Sequence, residues 1–121
     1  MGWTILLIAI AVIAAFFLLR SRSQISLRAA RAHLQQGAIV VDVRTNAEFQ
    51  SHHLPNALHI PLEEIDSLAA RRIKDKNQVL LLHCETATRS LTARRKLLQL
   101  GYTRVFNLGS YARAARIVGN G

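Results

Sequence analysis

Residues 80–90 read LLLHCETATRS and contain the one cysteine of the chain, Cys84. An apolar run closes at His83, Cys84 follows at once, a short loop of small and polar residues comes next, and Arg89 stands five positions after the thiol. A thiolate is the nucleophilic form of cysteine and is favoured near positive charge and at helix N-termini. In open α/β sheets, ligands bind beyond the carboxyl ends of the strands. Backbone N–H groups of a strand-to-helix loop can curve there into an anion-binding nest. The pattern therefore points to a nucleophilic cysteine facing an anionic ligand, against the plainer role of a small buried hydrophobe. A single cysteine excludes an internal disulfide, a cysteine-rich zinc site and an internal resolving thiol. A group taken up by Cys84 must pass to an outside molecule or to water.

Other chemistry-bearing residues read more simply. His83 adjoins Cys84, but neighbouring strand residues point to opposite faces, which makes it a packed strand-end histidine rather than a general base. His52, His53 and His59 match no common zinc spacing and are assigned structural roles. Arg94, Arg95 and Lys96 could steer anions or form a solvated face.

The elements that must position Cys84 follow from periodicity. Leu27, Ala30 and Leu34 have helical spacing between a Ser26 cap and Gly37. AIVVDV (38–43) is a buried strand, TNAE (45–48) a capping box opening a short helix, and Leu54-Pro55-Asn56 a turn. ALHI (57–60) is a second strand. LEEIDSLAARRI (62–73) is an amphipathic helix with Leu62, Ile65, Leu68 and Ala69 inward. QVLLLH (78–83) is the most apolar strand and the expected centre of the sheet. A helix over 89–100, a strand over 104–108 and at best a short helix in SYARAARIV complete the chain. Strands alternating with helices predict a parallel α/β sheet.

Residues 3–19, WTILLIAIAVIAAFFLL, are apolar on every face, with Thr4 the only polar side chain. At ~1.5 Å per residue they make roughly 25 Å of helix, close to a bilayer's hydrocarbon thickness. No basic residue precedes the run and no small-residue cleavage site ends it, so an uncleaved anchor is favoured over a signal peptide. The expected organisation is an anchor over 1–20, a linker over 21–24 and a soluble domain over 25–121. All sixteen Lys and Arg lie at or after Arg20, and the net charge is +9. Arg20 and Arg22 directly follow the helix. The positive-inside rule then places the domain on the cytoplasmic side of an inner (plasma) membrane, N-terminus out. A lone free thiol agrees with a reducing compartment. The basic surplus suits anionic lipid headgroups. No nucleic-acid motif accompanies it, and no nucleic-acid partner is expected.

Two motifs resemble the single-domain rhodaneses, a sulfurtransferase family. VVDVRTNAEFQSHHLPNALHIP (40–61) is similar to the family's first signature, matching at Asp42, Arg44, Glu48, Phe49, His53, Pro55, Ala57, Ile60 and Pro61. His52 and Asn56 replace the usual glycines. CETATRS is similar to the catalytic loop of Cys, four residues, then Arg-Ser. LLQLGYTRVFNLGS resembles the helix, strand and closing turn that follow, so the likeness covers about residues 23–115. The resemblance implies a five-stranded parallel sheet flanked by helices, with SQIS (23–26) as its short first strand. It implies that Cys84 takes the outer sulfur of thiosulfate or a similar small anionic donor as a persulfide. A thiol, protein or other thiophilic acceptor then receives that sulfur. The loop Glu85, Thr86, Ala87, Thr88 and Arg89 would cradle the persulfide. Arg89 would hold the loop and attract the anion, and Asp42 and Arg44 would support it. No cofactor or metal is implied. Phosphatase loops of the same fold place five residues between Cys and Arg; the four here favour sulfur. Two departures stand out. Glu85 sets an acid beside the thiolate, and Ala87 occupies a position where many family loops carry glycine. They motivate a second reading, a degenerate rhodanese serving as a membrane-anchored binding or sulfur-carrier module.

Overall fold

A computed structural model describes residues 1–119 and, for residues 20–22, the backbone alone; the expected domain end at 120–121 lies outside the described residues. Four strands form one parallel sheet: β1 (Ile39–Asp42), β2 (Leu58–His59), β3 (Leu80–His83) and β4 (Val105–Gly109), in the order β2-β1-β3-β4. Six α-helices accompany them: α1 (Gly2–Arg22), α2 (Leu27–Gln35), α3 (Asn46–Ser51), α4 (Ile65–Arg72), α5 (Thr88–Gln99) and α6 (Tyr111–Val118). A single 3-10 turn, Leu62–Glu64, leads into α4.

The apolar run of β3 lies between β1 and β4, as expected of a strand buried on both faces. Its alternation divides the core. Leu80, Leu82 and Cys84 pack with Ile65, Ala69, Ala93 and Leu97 from α4 and α5. Leu81 faces the other way, with Ala30, Ala114 and Ile117 from α2 and α6. Full burial of each leucine contributes about 1.5–3 kcal/mol, enough to fix the strand's register. That register pairs Asp42 with His83, so the chains leaving β1 and β3 run side by side.

The expected fifth strand is absent among the described residues. Ile25 donates one backbone hydrogen bond to Asn107 O (2.9 Å), but no ladder follows. Ser26 must cap α2, and its hydroxyl accepts from Ala29 N at 3.1 Å, which turns the chain away from the sheet edge after that one bond. The last segment is better ordered than expected: Ser110 caps an eight-residue helix, α6, by accepting from Arg113 N. Asn56, standing where the family has glycine, has φ 63°, the left-handed region that asparagine tolerates best among non-glycine residues.

The first helix, α1, has an 18-residue stretch, Gly2–Leu19, that is long and apolar enough to cross a membrane, and none of it is buried in the protein. A signal sequence meets the same criteria of length and composition.

Candidate functional site

The site is built where β1 and β3 end and α5 begins. Cys84 follows β3 directly, and its N–H donates to Gly109 O at 3.1 Å across a bulge between β3 and β4. The side chain is fully buried. The next helix, α5, has Ala87 at its N-cap, which offers no side-chain oxygen to the orphan N–H groups of the first turn. Sulfur takes that role: Ser90 N donates to Cys84 Sγ at 3.3 Å. Cys84 Sγ also lies 3.5 Å from Ser90 Oγ. That hydroxyl is held in turn by Asn107 Oδ1 (2.6 Å) and Ala87 O (3.0 Å). Asn107 Oδ1 also accepts from Gly109 N (2.9 Å), tying the thiol's neighbour to the turn after β4.

Ala87 has φ 79°. A left-handed alanine costs about 1–2 kcal/mol, and glycine's greater freedom in the unfolded chain gives back about 0.4–1 kcal/mol of that relief. Ala87→Gly is expected to stabilise the protein by about 0.5 kcal/mol, read as a higher denaturation midpoint in detergent. A lower midpoint would show that the Ala87 methyl, itself buried, packs well enough to outweigh the strain.

Two ion-pair systems brace the loop. Arg89 grips Glu48 with two hydrogen bonds, Nη1 to Oε1 (2.7 Å) and Nη2 to Oε2 (2.9 Å), linking α5 to α3. Glu48 also closes the capping box of α3, accepting from Thr45 N while its own N–H donates to Thr45 Oγ1. The Arg89 bonds, aided by those from Thr45 and opposed by burial, lower the Glu48 pKa to about 2. Arg89 is correspondingly raised, chiefly by its hydrogen bond to Glu48 and against burial, with the charges of Glu48, Cys84 and Glu63 adding.

In the second system Arg44 is fully buried. Its Nε and Nη2 donate to Asp42 (2.8–3.1 Å), Nη2 also donates to His52 O (2.8 Å), and Nη1 donates to Glu85 Oε2 (3.2 Å). The guanidinium lies 4.6 Å from the centre of the Tyr111 ring. Burial alone would lower the Arg44 pKa, but Asp42 and Glu85 more than offset it. The carboxylate of Glu85 is therefore turned toward Arg44, with its side chain 47% exposed. His83 is fully buried, with Nε2 3.7 Å from Asp42 Oδ2 and neither ring nitrogen hydrogen-bonded. Burial pushes its pKa down, Asp42 opposes that, and Arg44 reinforces it.

These shifts set a pH dependence. A histidine depressed in the folded state takes up protons more readily when unfolded, so acid below about pH 6.5 costs stability. Glu48, also depressed, contributes stability above its ordinary carboxylate range and loses it as pH falls toward 2. Thermal midpoints are expected to fall in two stages, from about pH 6.5 and again from about pH 4.5. His83→Gln should remove the first stage and Glu48→Gln the second; retention of both stages in both variants would contradict the assignment.

Two clefts flank the loop. One, of about 400 Å³, is of mixed character and lined by Arg44, Ala47, Glu48, Ser51, His52 and Glu85. The other, of about 350 Å³, is apolar and lies between Phe16 and Leu19 of α1 and Ala87, Thr88 and Leu91 at the start of α5.

The residues singled out from sequence, Cys84, Glu85 to Arg89, Asp42 and Arg44, thus lie at one sheet edge. Three contributions were not foreseen: Glu48 as the partner of Arg89, Ser90 beside the sulfur, and Asn107 behind Ser90. A polar residue inside the apolar strand VFNL was the available signal for Asn107. The imidazoles of His53 and His59 stack on Phe49 at 3.9 and 4.3 Å, and His52 meets Tyr111 edge-on. Arg94 is not simply solvated, because its Nε donates to Val105 O at 2.7 Å.

A family model described as a rhodanese-like domain matches residues 26–113. The chain belongs to the rhodanese family. Among rhodaneses, it is 35% identical over 69 residues to thiosulfate sulfurtransferase PspE of Escherichia coli strain K12, a match covering 57% of this chain and 66%, just under two thirds, of that relative. The structure is similar to that of an E. coli rhodanese with anions (TM-score 0.61, 31% identity, 64% of this chain and 91% of the other). It is similar also to human single-domain sulfurtransferase TSTD1 (TM-score 0.63, 30% identity, 79% and 94%). The rhodanese fold accounts for the parallel sheet with Cys84 at its carboxyl edge.

Proposed function

We propose that this chain is a sulfurtransferase that carries sulfane sulfur on Cys84. The observation that supports it most is the buried Cys84 Sγ at the end of β3, with the first-turn N–H of Ser90 aimed at it and a four-residue loop closed by Arg89. The names of the relatives point the same way. In the first step the Cys84 thiolate attacks the outer sulfur of thiosulfate or a similar donor. The donor's S–S bond breaks, and sulfite leaves with the electron pair. In the second, a thiophilic acceptor attacks the terminal sulfur of the Cys84 persulfide and regenerates the thiolate. Sulfur moves with six valence electrons, so no outside oxidant or reductant is needed. The backbone amides from Glu85 to Arg89 receive the negative charge of the persulfide. Arg89 holds the loop through Glu48, and Asp42 at the end of β1 and Arg44 just after it support the loop. Mass measurement after treatment with a sulfane donor should show one added sulfur atom, located at Cys84. No adduct from any donor would overturn the proposal.

The same reading makes α1 a single-pass anchor over residues 1–20. The 21–24 linker then holds the domain close to the inner face of a plasma membrane, where its basic surplus meets lipid headgroups. A reporter fused after Gly121 should be active only in its cytoplasm-dependent form. Activity of a periplasm-dependent reporter alone would reverse the orientation.

The acid at Glu85 and the left-handed Ala87 favour a second reading, a carrier or docking module serving one membrane partner. Cellular function retained by Cys84→Ser would support its docking form.

A further inference from the structure

The chain carries a net charge of +9, yet its candidate site does not. Around the loop stand three carboxylates, Asp42, Glu48 and Glu85, against two guanidiniums, Arg44 and Arg89. Both guanidiniums are committed. The two Nη atoms of Arg89 are bonded to Glu48. Arg44 spends Nε and Nη2 on Asp42 and Nη1 on Glu85. The local sum is one negative charge (two positive against three negative) before any charge on sulfur is added. Glu48 remains ionised throughout the neutral range. The charge of Glu63 also bears on Arg89 and has the same sign as this excess. The cleft beside the loop, lined by two carboxylates, Glu48 and the half-exposed Glu85, against one guanidinium, Arg44, is therefore acidic within a basic protein.

A dianionic donor such as thiosulfate meets like charge there, both from Glu85 and from the thiolate it must approach. An ammonium group near the sulfane sulfur would meet Glu85 and Glu48 instead. We propose that Glu85 sets donor specificity, so that the site takes sulfane donors bearing an ammonium group in preference to the thiosulfate dianion. This rests on the sulfurtransferase reading and narrows its substrate class. The step is the same for every donor of the type R–SO2–S⁻. The Cys84 thiolate bonds to the outer sulfur, the S–S bond breaks, and the sulfinate R–SO2⁻ leaves with the electron pair. The product is Cys84–S–S⁻, with charge and atoms balanced.

Three donors of this chemistry differ in charge: thiosulfate (dianion), methanethiosulfonate (monoanion) and 2-aminoethanethiosulfonate (zwitterion). The rate of sulfur addition to Cys84 is followed by mass on the full chain in nonionic detergent, for wild type, Glu85→Gln and Glu85→Lys. Intrinsic donor reactivity cancels when the aminoethane-to-thiosulfate rate ratio is compared between variants. That ratio is expected to fall about threefold in Glu85→Gln, which also frees Arg44 Nη1, and about tenfold in Glu85→Lys. Raising salt should speed thiosulfate in wild type and slow it in Glu85→Lys. A ratio constant within twofold between wild type and Glu85→Gln, with adducts forming normally, overturns the specificity assignment and leaves the sulfurtransferase reading standing. Absence of any adduct overturns both. Glu85→Gln preserves size and keeps the test decisive if lysine beside Arg44 disturbs folding.

Discussion

Cys84→Ser is expected to lose the sulfur adduct entirely and to lower sulfur transfer by at least about 10³-fold. A serine hydroxyl is far less acidic than a thiol, and at neutral pH it supplies almost no anionic nucleophile. The change is nearly isosteric, and the serine oxygen can still accept from Ser90 N, the bond sulfur now receives. The fold should therefore persist, with a thermal midpoint within a few degrees of wild type. This separates loss of chemistry from loss of structure. Mass measurement after donor treatment reads the first step, and thiocyanate formed from cyanide reads the whole cycle. A variant that still accumulates the adduct would place the sulfur on another residue and refute the mechanism.

Arg89→Lys is expected to lower kcat/KM by about 10–100-fold and stability by about 1 kcal/mol. Lysine keeps the positive charge but cannot span both oxygens of Glu48, which arginine does at 2.7 and 2.9 Å. The stability figure is small because both side chains are about 30% exposed and solvent screens the pair. The catalytic effect is larger because Arg89 is two residues into α5 and fixes how the loop meets the sulfur. Glu48→Gln discriminates between two roles. If Arg89 serves by holding geometry, Glu48→Gln lowers kcat/KM although it never reaches sulfur, and the double variant is no worse than Arg89→Lys alone. If Arg89 serves only as a charge for the anion, Glu48→Gln frees it and raises the rate. The geometry supports the first outcome. An increased rate would assign Arg89 to electrostatic attraction.

Much of this protein is written locally. The apolar run of α1, the alternation of Leu80, Leu81 and Leu82, the Ser26 cap and the Thr45–Glu48 capping box are short-range patterns. Each is decided by residues within a few positions of one another. The strand-to-helix position of Cys84 follows from the same patterns, as does the spacing to Arg89. What the sequence does not contain is who faces whom. Glu85 reads as an acid that would repel the neighbouring thiolate. In the structure its carboxylate reaches Arg44, a residue 41 positions away. Arg89 reads as a cation that holds the loop and attracts the anion, and the structure gives it a partner, Glu48, also 41 positions away. Both pairings come from parallel β1 and β3 setting Asp42 beside His83, which brings the two loops together and leaves the geometry of tertiary packing to choose among many possible ion pairs. The short SQIS segment failed as a strand for the converse reason. A local demand, capping α2, took Ser26 before the sheet could extend. Asn107, polar within an apolar strand, found its purpose only when β4 and α5 brought it to 2.6 Å from Ser90. Local chemistry determined that a thiol would stand at the sheet edge, and long-range packing decided which charges surround it, because ion pairs and buried hydrogen bonds depend on spatial rather than sequential neighbours.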